Sequence, residues 1–165
     1  MSQTTLDTSA IGADLPGAVV TVERGPVTTF AGAVLDERPE YRSAVAARAA
    51  GLRGIPMPPT FPFAMGNWGQ FEEQQPDGWD APIPTLGLYG ELMRNGGLIL
   101  HGEQEFIYHR DVVVGDELTM TGRVKDIYQK ASGDKTMTFI VSEQDYRNSD
   151  GELVLTQVTT IIHRV

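Results

Sequence analysis

The chain has 165 residues with 22 acidic and 13 basic side chains, a net charge of −9 and no cysteine, which excludes disulfides and zinc–cysteine sites. The acidic balance argues against nucleic acid as a partner, because phosphate contacts need a basic face. No apolar run approaches the roughly 18 residues of a membrane span, and residues 1–20 lack the Lys or Arg of an export signal, so we expect a cytoplasmic protein without a membrane partner.

Proline divides the chain, because all ten prolines lie at or before Pro84 and proline cannot donate to a sheet ladder. In the first half, an extended segment at 19–22 precedes a predicted helix over 26–35, whose apolar residues recur at helical spacing. The Ala-rich segment 41–50 predicts a second helix.

A stiff segment with three prolines, residues 54–59, leads to a third predicted helix. Thr60 is its predicted N-cap, and Pro62 lies in its first turn. Residues 69–84, rich in proline and carboxylates, predict a surface insertion, and residues 86–94 predict a further helix.

The proline-free part is rich in Val, Ile, Thr and Tyr and predicts an antiparallel meander of four strands joined by short turns. The predicted strands are residues 100–108, 117–128, 135–146 and 152–164. Alternation of apolar and polar residues predicts one packed face. The residues predicted to lie on it are Leu118, Met120 and Val124 on the second strand and Met137, Phe139 and Val141 on the third.

Several segments resemble the MaoC-like dehydratases, a family of (R)-specific enoyl-thioester hydratases. Phe30 and the run from Asp36 to Tyr41 resemble the family's hydratase signature, an aromatic residue followed by Gly-Asp-x-Asn-Pro-x-His. Residues 58–62 and 100–110 are similar to the N-terminal, or FAS1-like dehydratase, branch. That branch includes the A- and C-type subunits of mycobacterial (3R)-hydroxyacyl-ACP dehydratases.

The resemblance covers nearly the whole chain and implies an α+β hot-dog fold, in which an antiparallel sheet wraps around a central helix. Residues 16–165 would form this single domain, and residues 1–15 an N-terminal extension. Two such subunits are expected to pair as a double hot-dog, because one copy would leave a sheet edge uncovered.

In the family, an Asp and a His act together as acid and base on an acyl thioester. Asp36 matches the Asp, but Arg38 stands at the Asn position and Tyr41 at the His position. Tyrosine, with an ordinary pKa of about 10, is a poor base near neutral pH, and Arg38 would hold Asp36 ionised. The resemblance therefore implies a broken catalytic dyad.

A second departure concerns the family's backbone N–H that polarises the thioester carbonyl, which belongs to a Gly. Pro59 stands at that position and has no N–H, so Thr60 or Phe61 would replace it only after a shift of one residue. The residues expected to contact substrate are Pro59, Thr60, Phe61, Phe63 and Trp68. An aromatic stripe of this spacing is equally typical of core packing.

The three histidines receive different predictions. His101 is a candidate surrogate base, with Glu103 and Glu105 predicted on its side of the strand, or else a structural histidine at a sheet–helix junction. His109 and His163 are predicted to lie on the surface. No metal or cofactor motif is present, so neither group is expected.

These observations favour a subunit of a (3R)-hydroxyacyl-thioester dehydratase or enoyl-thioester hydratase, a lyase of fatty acid metabolism. A partner chain would supply the Asp–His dyad, while this chain forms the tunnel for an acyl thioester of CoA or acyl carrier protein. Two alternatives remain. One is a self-sufficient homodimeric hydratase that uses Asp36 and His101, and the other is an acyl-CoA or carrier-protein binding module without chemistry.

Overall fold

A five-stranded antiparallel sheet organises the computed structural model, which describes residues 8–79, 96–133 and 135–165. The strands are β1 (Asp14–Thr21), β2 (Leu98–Tyr108), β3 (Glu117–Ser132), β4 (Lys135–Arg147) and β5 (Leu153–Arg164). The α+β class is confirmed. The predicted helix at 86–94, the end of the predicted insertion at 80–84 and residues 1–7 lie outside the described residues.

The four long strands do not form one continuous meander, because the order across the sheet is β1-β3-β4-β5-β2. β2 pairs with β5 at the far edge, so two strands separate it from β3. The predicted short turn between β2 and β3 is therefore wrong. Residues 109–116 instead cross the end of the sheet beside residues 55–57, where Met57 N donates to Val112 O at 2.9 Å and Val114 N to Ile55 O at 2.8 Å.

One face of the sheet, which we call the inner face, packs against the helices. Leu118, Met120 and Val124 of β3 are buried there, as alternation predicts. A bulge between Val124 and Asp126 shifts the register by one residue, and Ile127 therefore continues the buried row.

On β4 the predicted face is wrong. Thr138, Ile140 and Ser142 are the buried residues, whereas Met137, Phe139 and Val141 lie half-buried on the outer face. The outer apolar side chains shield one another: the Phe139 ring stacks on the Tyr128 ring with centroids 4.7 Å apart. Because both faces of β4 carry apolar residues, alternation alone does not identify the inner one.

Short helices cover the inner face. They are α1 (Arg24–Ala33), α2 (Ala44–Ala49) and α3 (Pro62–Met65), with single 3₁₀ turns at Pro39–Tyr41 and Glu72–Gln74. α2 begins later than predicted because the Ser43 hydroxyl accepts a hydrogen bond from Ala46 N at 3.2 Å and caps it. Across the described ranges, no helix is long and apolar enough to cross a membrane.

The first turn of α3 differs from the prediction. Phe61, not Thr60, is its N-cap residue, and no side chain caps the helix. The chain already has helical dihedrals at Phe61 (φ −60°, ψ −29°), since Phe61 N donates to Pro58 O at 3.0 Å in the preceding turn. Phe61 and Met65 then enter the same buried cluster as Leu118 and Leu155.

The free edge of β1 is covered by residues 69–75, the first part of the predicted insertion. Thr21 N donates to Gly69 O at 2.7 Å. The Gln75 amide accepts from Val19 N and donates to Val19 O, both at 2.8 Å, and so imitates the backbone of a neighbouring strand. These contacts satisfy backbone groups that an exposed edge would offer to another chain.

Replacing Gln75 by Leu is expected to lower the free energy of unfolding by about 1–3 kcal/mol, because two backbone groups of β1 lose their partner. Urea unfolding followed by circular dichroism measures the change. The exposed neighbour Glu73 serves as a matched control, and Glu73→Leu should shift stability by less than about 0.5 kcal/mol. Equal stability of both variants would contradict the edge-covering role of Gln75.

Candidate active site

The segment that carries Asp36 leaves α1 through a sharp turn. Asp36 N donates to Ala31 O at 2.8 Å and Leu35 N to Gly32 O at 3.1 Å, the paired bonds of a Schellman motif. Leu35 has a φ of 59°, a left-handed conformation that usually favours glycine. This turn fixes the direction in which Asp36 leaves the helix.

Asp36, Arg38 and Tyr41 form one hydrogen-bonded cluster, which we call the Arg38 cluster. Arg38 Nε donates to both carboxylate oxygens of Asp36 at 3.0 and 3.2 Å, and Nη2 donates to Oδ2 at 2.7 Å. Nη2 also donates to the Tyr41 hydroxyl at 2.6 Å. The guanidinium thus stands between Asp36 and Tyr41, the residues that the sequence resemblance matches to the family's Asp and His.

The electrostatics of the Arg38 cluster disfavour proton transfer near neutral pH. The hydrogen bonds from Arg38 hold the pKa of Asp36 below its usual value, while burial raises the pKa of Tyr41. Asp36 therefore stays ionised and paired, and Tyr41 stays protonated. A general base works best when its pKa lies near the working pH, and neither group meets that condition.

Arg38→Asn is expected to raise the pKa of Asp36 toward the ordinary value of about 3.9, because the paired cation is lost. Because folding lowers this pKa, the pairing stabilises the protein above the unfolded-state pKa, and that stability is lost as pH falls through the folded-state pKa. Carboxyl-carbon NMR titration measures the shift. Arg42 affects Asp36 only through charge, so Arg42→Asn should raise the pKa less, and an unchanged pKa in Arg38→Asn would contradict the pairing.

His101 lies on the inner face of β2, where its ring meets the edge of the Phe63 ring with centroids 5.1 Å apart. The predicted sharing of one side with Glu103 and Glu105 is wrong. A bulge at Gly102 moves both carboxylates to the outer face, and Gln104 follows His101 on the inner face. Gly102 suits this bulge because an added Cβ would come within 3.0 Å of Ile162 and of Thr160 O.

His101 and Tyr108 lie toward opposite ends of β2. Burial and, to a smaller extent, the charge of Tyr41 raise the pKa of Tyr108. His101 and Tyr108 are seven positions apart along β2, a separation of roughly 23 Å at about 3.3 Å per residue. Among the described contacts, Asp36 is bonded to Arg38 and the His101 ring meets Phe63, and none joins Asp36 to His101.

The proposed substrate-contacting residues divide into buried and exposed members. Phe61 is 1% exposed and packs in the core, 5.3 Å from the Phe30 ring and 6.3 Å from the Trp68 ring between centroids. Phe63 and Trp68 are 59% and 51% exposed, and Pro59 and Thr60 are also exposed. Of the three aromatic candidates Phe61, Phe63 and Trp68, only the last two have exposed rings that a ligand could contact.

Of the two backbone N–H groups that follow Pro59, one is already bonded and the other points away from Tyr108. Phe61 N is bonded to Pro58 O. The Pro59 carbonyl accepts a hydrogen bond from the Tyr108 hydroxyl at 3.0 Å, and in a trans peptide the N–H of the next residue points the opposite way. Thr60 N–H therefore faces away from Tyr108.

A pocket of about 290 Å³ lies beside Pro59 and Tyr108. Met57, Val112 and Val113 supply apolar walls, and His109, Arg110 and Asp111 also line it. The sequence alone does not reveal this pocket or the place of Tyr108 in its wall, because residues 52–59 and 108–113 meet only in the folded chain. Arg110 pairs with Glu152 at 2.8 Å, so its charge is already balanced.

The surface prediction for His163 is wrong, since this residue is 4% exposed and its Nε2 lies 2.7 Å from Gly96 O. Its place on the inner face beside Thr138 follows from register, which the sequence does not show. His109 is exposed, and its Nε2 lies 3.1 Å from the Thr156 hydroxyl. Within the described residues, no group of three or more acidic or histidine side chains could hold a metal ion.

Comparison with known proteins identifies the family. The chain matches the FAS1-like, dehydratase domain region over residues 9–157, and it belongs to this family. It is 32% identical to a UPF0336 protein of Streptomyces griseus over 166 residues, covering 96% of this chain and 95% of that protein. A UPF0336 protein of Saccharopolyspora erythraea is also 32% identical, over 96% of this chain and 92% of that protein.

Solved structures confirm the hot-dog fold. The HadBC (3R-hydroxyacyl-ACP dehydratase) complex from Mycobacterium tuberculosis contains a chain with a TM-score of 0.69 and 22% identity, covering 95% of this chain and 99% of that one. A chain of the ChsH1-ChsH2 complex from the same organism has a TM-score of 0.71 and 20% identity, covering 92% and 84%. A MaoC-like dehydratase has a TM-score of 0.69 and 25% identity, covering 94% of this chain and 42% of that one.

Proposed function

We propose that this chain is a cytoplasmic subunit of a (3R)-hydroxyacyl-thioester dehydratase or (R)-specific enoyl-thioester hydratase. In this proposal it forms part of the acyl-binding tunnel, while a partner chain supplies the Asp–His dyad. The observation that carries the proposal is the Arg38 cluster, in which Asp36 is ion-paired at 2.7 Å and a buried tyrosine stands at the family's His position.

The missing backbone N–H that would donate to the thioester carbonyl also supports assigning the chemistry to the partner chain. Proline at position 59 removes one backbone donor, the Phe61 N–H is already bonded to Pro58 O, and the Thr60 N–H points away from Tyr108. Losing one such donor typically costs about 2.7–4 kcal/mol of transition-state stabilisation. Pro59, Thr60, Phe63 and Trp68 remain exposed and available as tunnel wall.

The outer edge of β2 is the surface we assign to the partner. β2 is an edge strand of eleven residues, and its only neighbour in the described part of the sheet is β5. Leu98 and Ile107, near its two ends, are 45% and 41% exposed. Pairing through this edge would satisfy its backbone groups and join two sheets.

Co-expression with a second MaoC-like chain that carries an intact Asp-x-Asn-Pro-x-His core tests the assembly. Native mass spectrometry of the purified sample should show a complex with equal numbers of the two chains. A homo-oligomer that excludes the second chain and hydrates crotonyl-CoA by itself would contradict the proposal.

The Arg38 cluster also favours a second candidate function, an acyl-CoA or carrier-protein binding module without chemistry. Its paired carboxylate and protonated phenol are suited to a fixed surface rather than to proton transfer. A thermal shift with acyl-CoA but no turnover in the presence of every MaoC-like partner of the same cell would favour this candidate.

A further inference from the structure

We propose that the Tyr108 hydroxyl is the hydrogen-bond donor for the thioester carbonyl, and that the pocket beside Pro59 receives this part of the ligand. The identity of the ligand as an acyl thioester rests on the proposed function. The assignment of Tyr108 rests on the geometry around Pro59. At this position the chain lacks the backbone N–H that donates to the thioester carbonyl in the family.

Tyr108 is held at this position by the sheet. It pairs with Leu155 of β5, which pairs in turn with Tyr146 of β4, so the two tyrosines lie in one row of the inner face. The row places the Tyr108 hydroxyl 3.0 Å from the carbonyl oxygen of Pro59. Both residues line the pocket of about 290 Å³, a volume near the lower end of the range for small-molecule sites.

The backbone at residues 59–61 offers no donor on the side of Pro59 where the Tyr108 hydroxyl lies. Pro59 has no N–H, Phe61 N is bonded to Pro58 O, and Thr60 N–H points away from Tyr108. A tyrosine hydroxyl is one of the side-chain groups that stabilise a developing oxyanion in enzymes.

The hydroxyl is in the protonated state that donation requires, because a phenol has an ordinary pKa of about 10 and partial burial raises the pKa of Tyr108 further. Tyr108 is 38% exposed, so a ligand can reach it. Its present acceptor belongs to an exposed residue. When the hydroxyl turns from the Pro59 carbonyl to a ligand carbonyl, water can replace it at Pro59. The exchange therefore leaves no buried acceptor without a partner.

Isotope-edited infrared spectroscopy of crotonyl-CoA labelled with ¹³C at the thioester carbonyl tests the assignment on the full chain. Binding to the unmodified protein should lower the carbonyl stretching frequency. Tyr108→Phe keeps the ring in the pocket wall but should lose most of this shift and bind crotonyl-CoA about 2–10-fold more weakly. Tyr128→Phe, which changes a hydroxyl on the outer face, should behave like the unmodified protein.

A thioether analogue of crotonyl-CoA, which lacks the thioester carbonyl, separates donation from packing. Its affinity should be the same for the unmodified chain and for Tyr108→Phe. Leu52→Trp, which fills the pocket from a partly buried position, should weaken both ligands.

Three results would overturn the inference: no binding of crotonyl-CoA to the unmodified chain, an unchanged carbonyl frequency in Tyr108→Phe, or equal weakening of thioester and thioether in that variant. None of these readouts requires turnover. The assignment of Tyr108 therefore stands or falls separately from the partner-dependent activity.

Discussion

The purified chain alone is expected to hydrate crotonyl-CoA no faster than buffer, whereas its mixture with a MaoC-like chain that carries the Asp–His dyad should be at least about 100-fold faster. The reason is that positioned acid–base groups typically contribute about 10²–10⁴-fold to rate, and the Arg38 cluster supplies neither a free base nor an acid of suitable pKa. The loss of absorbance of the enoyl thioester measures the rate.

Variants of the partner chain provide the control for this result. Replacing the dyad His of the partner by Ala should return the mixture to the background rate, with the complex still assembled in native mass spectrometry. Tyr41→Phe in this chain should leave the rate of the mixture within about twofold, because the described hydrogen bond of the Tyr41 hydroxyl is the one it accepts from Arg38. Turnover by this chain alone would contradict the proposal that the partner chain supplies the catalytic groups.

Phe61→Ala is expected to lower the free energy of unfolding by about 3–5 kcal/mol, the usual cost of truncating a buried aromatic side chain. Phe61 is 1% exposed and joins α3 to α1 through its edge contact with Phe30. The truncation would also leave Trp68 without its stacking partner. Urea unfolding monitored by tryptophan fluorescence and circular dichroism measures the effect.

Phe63→Ala is the matched control, because Phe63 lies two residues away and is 59% exposed. Its only described ring contact is with His101, and the expected change in stability is less than about 1 kcal/mol. If both variants lose equal stability, or if Phe61→Ala loses none, the distinction between a core residue at Phe61 and an exposed residue at Phe63 is wrong.

The sequence predicted the strands better than their arrangement. Alternation identified the inner face of β3 because only one side of Leu118 to Val124 is apolar. It failed on β4, where Phe139 and Ile140 make both sides apolar. It also did not locate the bulge at Gly102 or place β2 beyond β5, because bulges and strand order depend on partners distant in the chain.

The sequence predicted only contacts of the candidate site that join residues close together in the chain. Asp36 and Arg38 are two residues apart, and their ion pair was predicted from that spacing, whereas the hydrogen bond from Arg38 to Tyr41 was not. The expected loss of a backbone hydrogen-bond donor at Pro59 follows from the residue type alone, since proline has no N–H. Tyr108 was missed because its contact with Pro59 spans 49 residues and depends on the sheet.

The most direct test of the central claim is the rate of the assembled complex when this chain carries Asp36→Asn. Asn keeps the shape of the side chain and an acceptor for Arg38 but removes the carboxylate. If the chemistry belongs to the partner, crotonyl-CoA hydration by the complex should remain within about twofold of the unmodified rate. A loss of about 100-fold or more, the size expected for a catalytic acid or base, would show that Asp36 takes part in the reaction and would contradict the account.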